Sequence, residues 1–525
     1  MKFSGIGITP GESVDVHNED RVVDGIVGRL FDELEGRIND LAEEQAYMEG
    51  APLGNEFEPG KDKEFNGMEQ LRDMSRNNYA RLVVSAVTNK CGIEGFRTAA
   101  ANDEYGDSRV DELFDRDDMG FAIQDAIEIA SAYRRAYLYV DPKTTRQRVI
   151  PTTNAAVLMD VTDEPVAGIV LRRDKILDRD VMQVYIRSIN EDTGVAEGPP
   201  RLYTATRDHN DYAYISKRGI VLTSSDSEVP LDRNVGHGWV WWKEEAVPST
   251  DRIPLTVLKN KDGKSEFSNV TDTINRLNHM IFQRVIVATM QAFRQRAIKG
   301  NFPKYDNKGN EIDYADLFEA GPARMWQLPE GADIWESSTT EYSGLLEAVK
   351  ADERALGAQT STPMNYFSDS VNNSAEGAAT QKESYYDRVE DRRRRFGSRL
   401  RRHVSILMEV NGEDERSRIE ELEVIWKPVE SLTLSERSAA FASLKGNGLS
   451  VKTALREGMQ MKPREIQRAM DELLEDQLRK AFAEPNNGPT PLAKSREGNQ
   501  TKASNVGNNS ETLVKAREEG RKANN

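Results

Sequence analysis

From Ser268 to Lys299 the chain runs without a glycine or a proline. Within that run Val270, Ile274, Leu277, Ile281, Val285, Ala288 and Ala292 recur at helical spacing, and Phe282, Ile286, Met290 and Phe293 form a second stripe beside them. Ser265 or Ser268 can cap the start, and Gly300 followed by Pro303 can end it. The spacing predicts a helix of roughly 48 Å at 1.5 Å per residue. A helix of that length with so wide an apolar belt must bury it against neighbours, in the same chain or in another copy.

The flanking sequence divides at this helix. Ahead of it, Arg21 to Met48 reads as a helix with Ile26, Leu30, Leu34 and Leu41 on one face, and Met68 to Lys90 as a second. Asp117 to Ala132 is helical again and leads into a strand at Ala136–Val140, stopped by Asp141-Pro142. Asn154–Val161, Val166–Arg172, Val181–Ser188, Arg201–Thr206, Trp239–Lys243 and Ile253–Leu258 are strand-like, rich in Val, Ile, Leu and aromatic residues between turn residues. The first half is therefore expected to be α+β.

Beyond the long helix, Asn301 to Thr340 collects aromatic residues among Gly and Pro. A shorter helix, Glu341–Gln359, is followed by a polar loop from Thr360 to Asn373. Ser374 can cap another long helix reaching Val410, stopped by Asn411-Gly412. A strand at Glu423–Lys427 and helices at Ser435–Leu444, Val451–Glu457 and Pro463–Phe482 complete the pattern. From Glu484 the composition is that of a disordered tail. At 525 residues, three or four modules are expected.

Composition narrows the function classes. A net charge of -17 argues against a tight nucleic-acid binder, which neutralises phosphates with clustered Lys and Arg. No stretch is apolar enough to span a bilayer, and residues 1–30 lack the pattern of a secretory signal, so the chain is expected to be cytosolic where it is made. Cys91 is the only cysteine and the histidines at 17, 209, 237, 279 and 403 are scattered, so neither a metal nor a cofactor is expected.

Gly263-Lys264-Ser265 has the end of a phosphate-binding loop, but Leu258 stands where the pattern needs glycine and Asp262 puts a negative charge beside the phosphate position. A turn and helix cap is the expected reading, with a nucleotide hydrolase as the alternative. Asp115, Asp117 and Asp118 are expected to act as caps and dipole partners rather than as metal ligands. The one strongly basic feature is Arg392–Arg395 with Arg399, Arg401, Arg402 and His403. It reads as a solvated face with partners such as Glu390 and Asp391, ahead of a contact with phosphates.

The order of the second half carries a resemblance. A strand leads into the long helix, which ends Gln295-Arg296-Ala297-Ile298-Lys299-Gly300. Met325-Trp326-Gln327-Leu328-Pro329 lies in the aromatic excursion, and the return helix ends at Ser361-Thr362-Pro363-Met364-Asn365-Tyr366. Ser374-Ala375-Glu376-Gly377 opens a helix containing Val389-Glu390-Asp391 and Arg395-Phe396-Gly397. From about Arg21 to Glu484 this resembles the portal proteins of long-tailed bacteriophages, in the branch common in phages of actinobacteria.

The resemblance implies an α+β portal fold and no catalysis. It assigns 1–262 to a wing, 263–300 to a first stem helix, 301–340 to a clip and 341–360 to a second stem helix. It makes 361–373 a tunnel loop, 374–412 a long tunnel helix, 413–434 the completion of the wing, 435–483 a helical crown and 484–525 a disordered tail. It further implies a homo-oligomeric ring, usually of twelve copies, at one capsid vertex of the virion, assembled in the host cytoplasm. The implied partners are double-stranded DNA held without sequence preference, the terminase, the major capsid protein and a head-tail adaptor.

On this reading Pro363, Met364, Asn365, Tyr366, Phe367, Ser368, Asp369 and Ser370 face DNA. Phe302, Trp326 and Trp335 pack or dock the clip, and Ile274, Leu277, Ile281 and Val285 pack the stem. A monomeric intracellular protein-binding scaffold is the other alternative to a portal.

Overall fold

The computed structural model describes residues 12–14, 25–50, 66–100, 106–190, 192–208, 214–215, 221–222, 238–292, 296–300, 302–305, 308–312, 333–336, 343–367, 375–429, 432–461 and 463–483. The chain forms two compact units, Met1–Arg464 and Glu465–Asn525. The expected disordered tail, 484–525, lies outside the described residues.

In the first unit the helices are α1 (Ile26–Met48), α2 (Asn66–Ser75), α3 (Tyr79–Thr88), α4 (Ser108–Arg116), α5 (Met119–Ala132), α6 (Thr271–Ala292), α7 (Ser343–Gln359), α8 (Ala375–Val410), α9 (Leu434–Gly446) and α10 (Val451–Glu457). The helix Pro463–Ala483 accounts for the described part of the second unit.

The principal strands are β1 (Glu12–Val14), β2 (Ile93–Arg97), β3 (Arg135–Val140), β4 (Gln147–Ile150), β5 (Ala155–Met159), β6 (Pro165–Asp174), β7 (Arg179–Ile189), β8 (Ala196–Asp208), β9 (Tyr214–Ile215), β10 (Val221–Leu222), β11 (Trp239–Ala246), β12 (Leu255–Lys259), β13 (Arg296–Lys299), β14 (Asp333–Glu336) and β15 (Glu423–Trp426). The largest sheet has the order β1-β11-β8-β7-β6-β5, and a smaller one the order β12-β3-β4. Each neighbouring pair in both sheets is antiparallel.

Alternation along the strands sorts the layers. On β6 and β7, Ile169, Leu171, Met182 and Val184 meet Leu30, Phe31 and Leu34 of α1 in one core, joined by Trp239 and Trp241. Val170 and Tyr185 point the other way, to Tyr137, Tyr139 and Leu255 of the smaller sheet. The remaining face of β3, through Ala136, Leu138 and Val140, packs on Ile123 and Ile127 of α5 and on Phe396, Leu400, Val404 and Leu407 of α8. A period of two thus gives each central strand two different partners.

A fourth core joins α6 and α7 to this body. Ile274, Leu277 and Ile281 are buried with Val349 and Leu356, against Tyr47, Tyr79, Val83 and Phe267. Arg276 on α6 also grips Asp352 on α7, at 2.8 and 2.9 Å.

Several expected boundaries shift. The long helix begins at Thr271, because Ser265 and Phe267 accept turn hydrogen bonds from the amides of Ser268 and Val270. It ends by Ala292, and Arg296–Lys299 is a strand whose register pairs Arg296 with Glu336 and Lys299 with Asp333. At 22 residues α6 spans roughly 33 Å.

The run expected as one helix from Met68 to Lys90 breaks at Asn78, whose side chain caps α3 by accepting from the amide of Arg81. The expected start at Asp117 falls between two helices, with Asp118 in the left-handed region at φ 54. The strand β4 was not expected.

Candidate functional site: the segment between the paired helices

The segment after α7 was expected to be a polar loop, from Thr360 to Asn373. Its described part, 360–367, is clamped at its base. Thr360 accepts from the guanidinium of Arg388 through its carbonyl, and Thr362 Oγ1 accepts from Arg388 at 3.2 Å. Tyr366 lies 3.3 Å, hydroxyl to hydroxyl, from Tyr385, which donates in turn to the carbonyl of Ala86. Phe367 stacks on Tyr79 with ring centroids 6.3 Å apart, and Tyr79 donates to Glu353 of α7 at 2.9 Å.

Gly357 makes the turn possible. A Cβ there would come within 3.0 Å of the Thr362 carbonyl and 3.1 Å of the Met364 sulfur. Pro363, Met364, Tyr366 and Phe367 end up half-buried, while Asn365 is exposed. Ser368, Asp369 and Ser370 lie outside the described residues.

The tie is completed by a residue with no sequence signal. Glu266, in the turn ahead of α6, has its side chain almost wholly buried between Arg388, at 2.7 Å, and Arg392. Burial pushes the carboxyl up, but the two guanidinium groups hold it down at about 2. Arg388 therefore bonds at once to the segment ahead of α6 and to the segment after α7. Periodicity finds α8 but cannot pair Arg388 with a carboxylate far away in the chain.

The basic run on α8 behaves differently from expectation. Arg392, Arg393 and Arg402 are buried rather than solvated. Arg393 donates to the carbonyls of Lys90 and Lys427 and lies 5.5 Å from the Trp426 ring centre. Arg402 grips Glu164, at 2.6 Å through Nη1. Of the expected partners, Asp391 accepts from Arg395 at 3.0 Å and Glu390 sits 3.5 Å from Arg393. His403 is buried beside Gln147 at 2.9 Å, and burial pulls its pKa down to about 3.

Gly263-Lys264-Ser265 forms no phosphate cradle. Asp262 and Gly263 take positive φ in a tight turn, Ser265 is buried, Lys264 is exposed, and the helix starts only at Thr271. Neither Ser265 nor Ser268 sits at the start of that helix to cap it. Asp117 accepts from Arg116 and Arg146, which keep its carboxyl below the usual range against the opposing effect of burial. Asp118 makes no side-chain cap bond. Among the described residues no group of three or more His, Cys, Asp or Glu is arranged to hold a metal. Cys91 is a free buried thiol.

Of the stem residues, Ile274, Leu277 and Ile281 are buried together, whereas Val285 is half-buried along with Phe282 and Ile286. Met290 and Phe293 lie outside the residues whose side chains are described. Trp335, on β14, is 59% exposed, Phe302 is half-buried, and Trp326 lies outside the described residues. No helix among the described residues is long and apolar enough to cross a membrane.

Residues 53–478 match the family model "Phage portal protein, SPP1 Gp6-like", and the chain belongs to that family of portal proteins. It is a structural protein of the phage particle, the connector between head and tail at the capsid vertex.

No curated protein matches the chain. Two similar solved structures are described as "Neck of empty GTA particle computed with C6 symmetry" and "Neck of native GTA particle computed with C12 symmetry". The first is 12% identical with a TM-score of 0.39, covering 75% of this chain and 93% of that one. The second is 12% identical with a TM-score of 0.35, covering 74% and 92%.

Proposed function

We propose that twelve copies of this chain form the gateway through which double-stranded DNA passes without sequence preference. The α+β body, 1–262 with 413–434, serves as the wing. Residues 263–300 and 341–360 carry the two stem helices, 301–340 the clip, 374–412 the long tunnel helix and 435–483 the crown.

The segment 361–373 is the tunnel loop, with Asn365 its outward point among the described residues. The clip, through Phe302, Trp326 and Trp335, docks the terminase motor during packaging and later the tail adaptor. The wing meets the major capsid protein during assembly in the host cytoplasm. The order of motifs in the second half supports the branch found in phages of actinobacteria.

One observation carries this reading. The apolar belt of α6 is buried as far as Ile281 but stays partly open at Phe282, Val285 and Ile286. A long helix half covered by its own chain needs a neighbour for the rest. In a ring, that neighbour is the next copy.

The test is a photo-reactive residue at Asn365, compared with one at Val161 on the β5–β6 turn. In DNA-filled particles, position 365 is expected to cross-link to DNA and position 161 is not. Equal labelling from both, or none from 365, contradicts the assignment of the loop.

A further inference from the structure

A cavity between α1, α3 and α5 takes no part in the contacts described above. It holds about 370 Å³ and is open to solvent. Met48 is buried at its floor, and Tyr133 forms a half-buried wall. Glu49, Asp125 and Glu128 line it against one guanidinium, that of Arg81. Asp125 and Glu128 make no hydrogen bond or ion pair with any other described residue.

Negative charge is in excess beside that wall as well. Glu44, one turn ahead of Met48 on α1, is 4% exposed. Its Oε1 accepts from Arg134 at 2.5 Å, and its Oε2 has no partner among the described residues. Burial, joined by the charges of Glu49, Glu128 and Glu44, raises the Tyr133 phenol to about 12.

A second anchor lies on the same face of α5. Phe121 stands one turn before Asp125 and two before Glu128, and it is 85% exposed. The opposite face of the helix, through Ile123 and Ile127, is locked in the core, so the phenyl ring and the carboxylates share a rigid support. From Glu128 to Ala132, the cavity lies roughly 10–16 Å along the axis from Phe121. Four residues of extended chain span about 13 Å and keep their end side chains on one side.

We propose that the cavity docks an arginine on an extended segment of a partner protein, whose apolar residue four positions away rests on Phe121. The stem of the arginine lies on Met48, and its planar head meets the carboxylates and the Tyr133 ring. Among the described residues no three acidic groups are arranged to ligate a metal, so the charge here suits a broad cation. The proposal goes beyond the gateway reading and does not depend on a ring.

The probe is a dye-labelled, end-blocked peptide, Leu-Gly-Ser-Gly-Arg, titrated with the full chain by fluorescence anisotropy. Its binding is expected to weaken as salt is added. Gln in place of Arg in the peptide, or D125K/E128K in the chain, is expected to weaken binding at least about tenfold. F121A is expected to weaken it about threefold. E383K/D387K, at two exposed acids of α8, is expected to bind as the parent does.

No binding by the parent, equal binding of the Gln peptide, unchanged binding by D125K/E128K, or an equal loss in E383K/D387K would overturn the proposal. So would arginine amide that binds as tightly as the peptide, because the cavity would then take any small cation. If D125K/E128K changes the particle mass seen by light scattering, the occupant is another copy of this chain and the partner assignment falls. Should that variant melt below the parent, D125N/E128Q replaces it, with binding about threefold weaker expected. Unchanged binding by the replacement counts against the docking.

Discussion

The guanidinium of Arg388 donates to the Glu266 carboxylate at 2.7 Å and also to the carbonyl of Thr360, so one side chain ties the turn before α6 to the turn after α7. Both side chains are nearly out of solvent, at 11% and 2% exposure. Removing Arg388 leaves the buried Glu266 carboxylate to Arg392 alone and takes the donor from the Thr360 carbonyl and the Thr362 hydroxyl, and a buried acceptor without its donor costs more than the bond contributes when whole.

R388A is therefore expected to destabilise the chain by about 1–3 kcal/mol and to loosen 360–367. Denaturant unfolding measures the first and hydrogen exchange at the segment the second. A loss below about 1 kcal/mol with unchanged exchange would show the tie to be incidental. Because the Glu266 carboxyl sits at about 2, below the ordinary 4.5, its contribution is complete above the unfolded value. It fades as pH falls through the folded one.

His403 gives a second acid-sensitive point. Burial pulls it from 6.5 to about 3, so the unfolded chain takes up a proton that the folded chain refuses between those values. Stability from this group is complete above the unfolded pKa and falls with pH at about 1.4 kcal/mol per unit across the window. H403Q keeps a donor for Gln147 without the titration, and urea unfolding between pH 6 and pH 4 is expected to show a shallower slope than the parent. Parallel slopes would contradict the burial argument.

Gly458→Ala is expected to be costly for α9 and α10. Its Cβ would stand 2.7 Å from the backbone nitrogen and Cα of Phe441, and 2.7 Å from the carbonyl of Ala454. Backbone cannot turn aside as a side chain can, so about 1–3 kcal/mol of destabilisation is expected. The thermal melt checks it, and a melt unchanged from the parent would contradict it.

Gly357→Ala probes the segment itself. The added methyl meets the Thr362 carbonyl at 3.0 Å and Met364 at 3.1 Å, so the turn must open. About 1–2 kcal/mol of destabilisation is expected, together with weaker DNA cross-linking from position 365. Wild-type cross-linking would mean that the turn does not set the loop's position.

The buried face of α6 was legible in the sequence because Ile274, Leu277 and Ile281 repeat at the spacing that packing uses. The far end was not. Arg296–Lys299 is too short to distinguish strand from helix, and its pairing with Asp333–Glu336 is a contact remote in sequence. The arginines of α8 misled for the same reason. Their composition reads as surface, but Glu266, Glu164 and the carbonyl of Lys90 take Arg392, Arg402 and Arg393 inside. The break at Asn78 was readable in principle as a cap, while the left-handed turn at Asp118 leaves little trace in a side chain.

Mass and symmetry of the purified full-length particle test the central claim most directly. Electron microscopy with light scattering is expected to show a closed ring of twelve 59.1 kDa chains around a hole wide enough for a DNA duplex. A folded monomer at every concentration tried, with the Phe282–Ile286 face of α6 protected from solvent labelling, would contradict it.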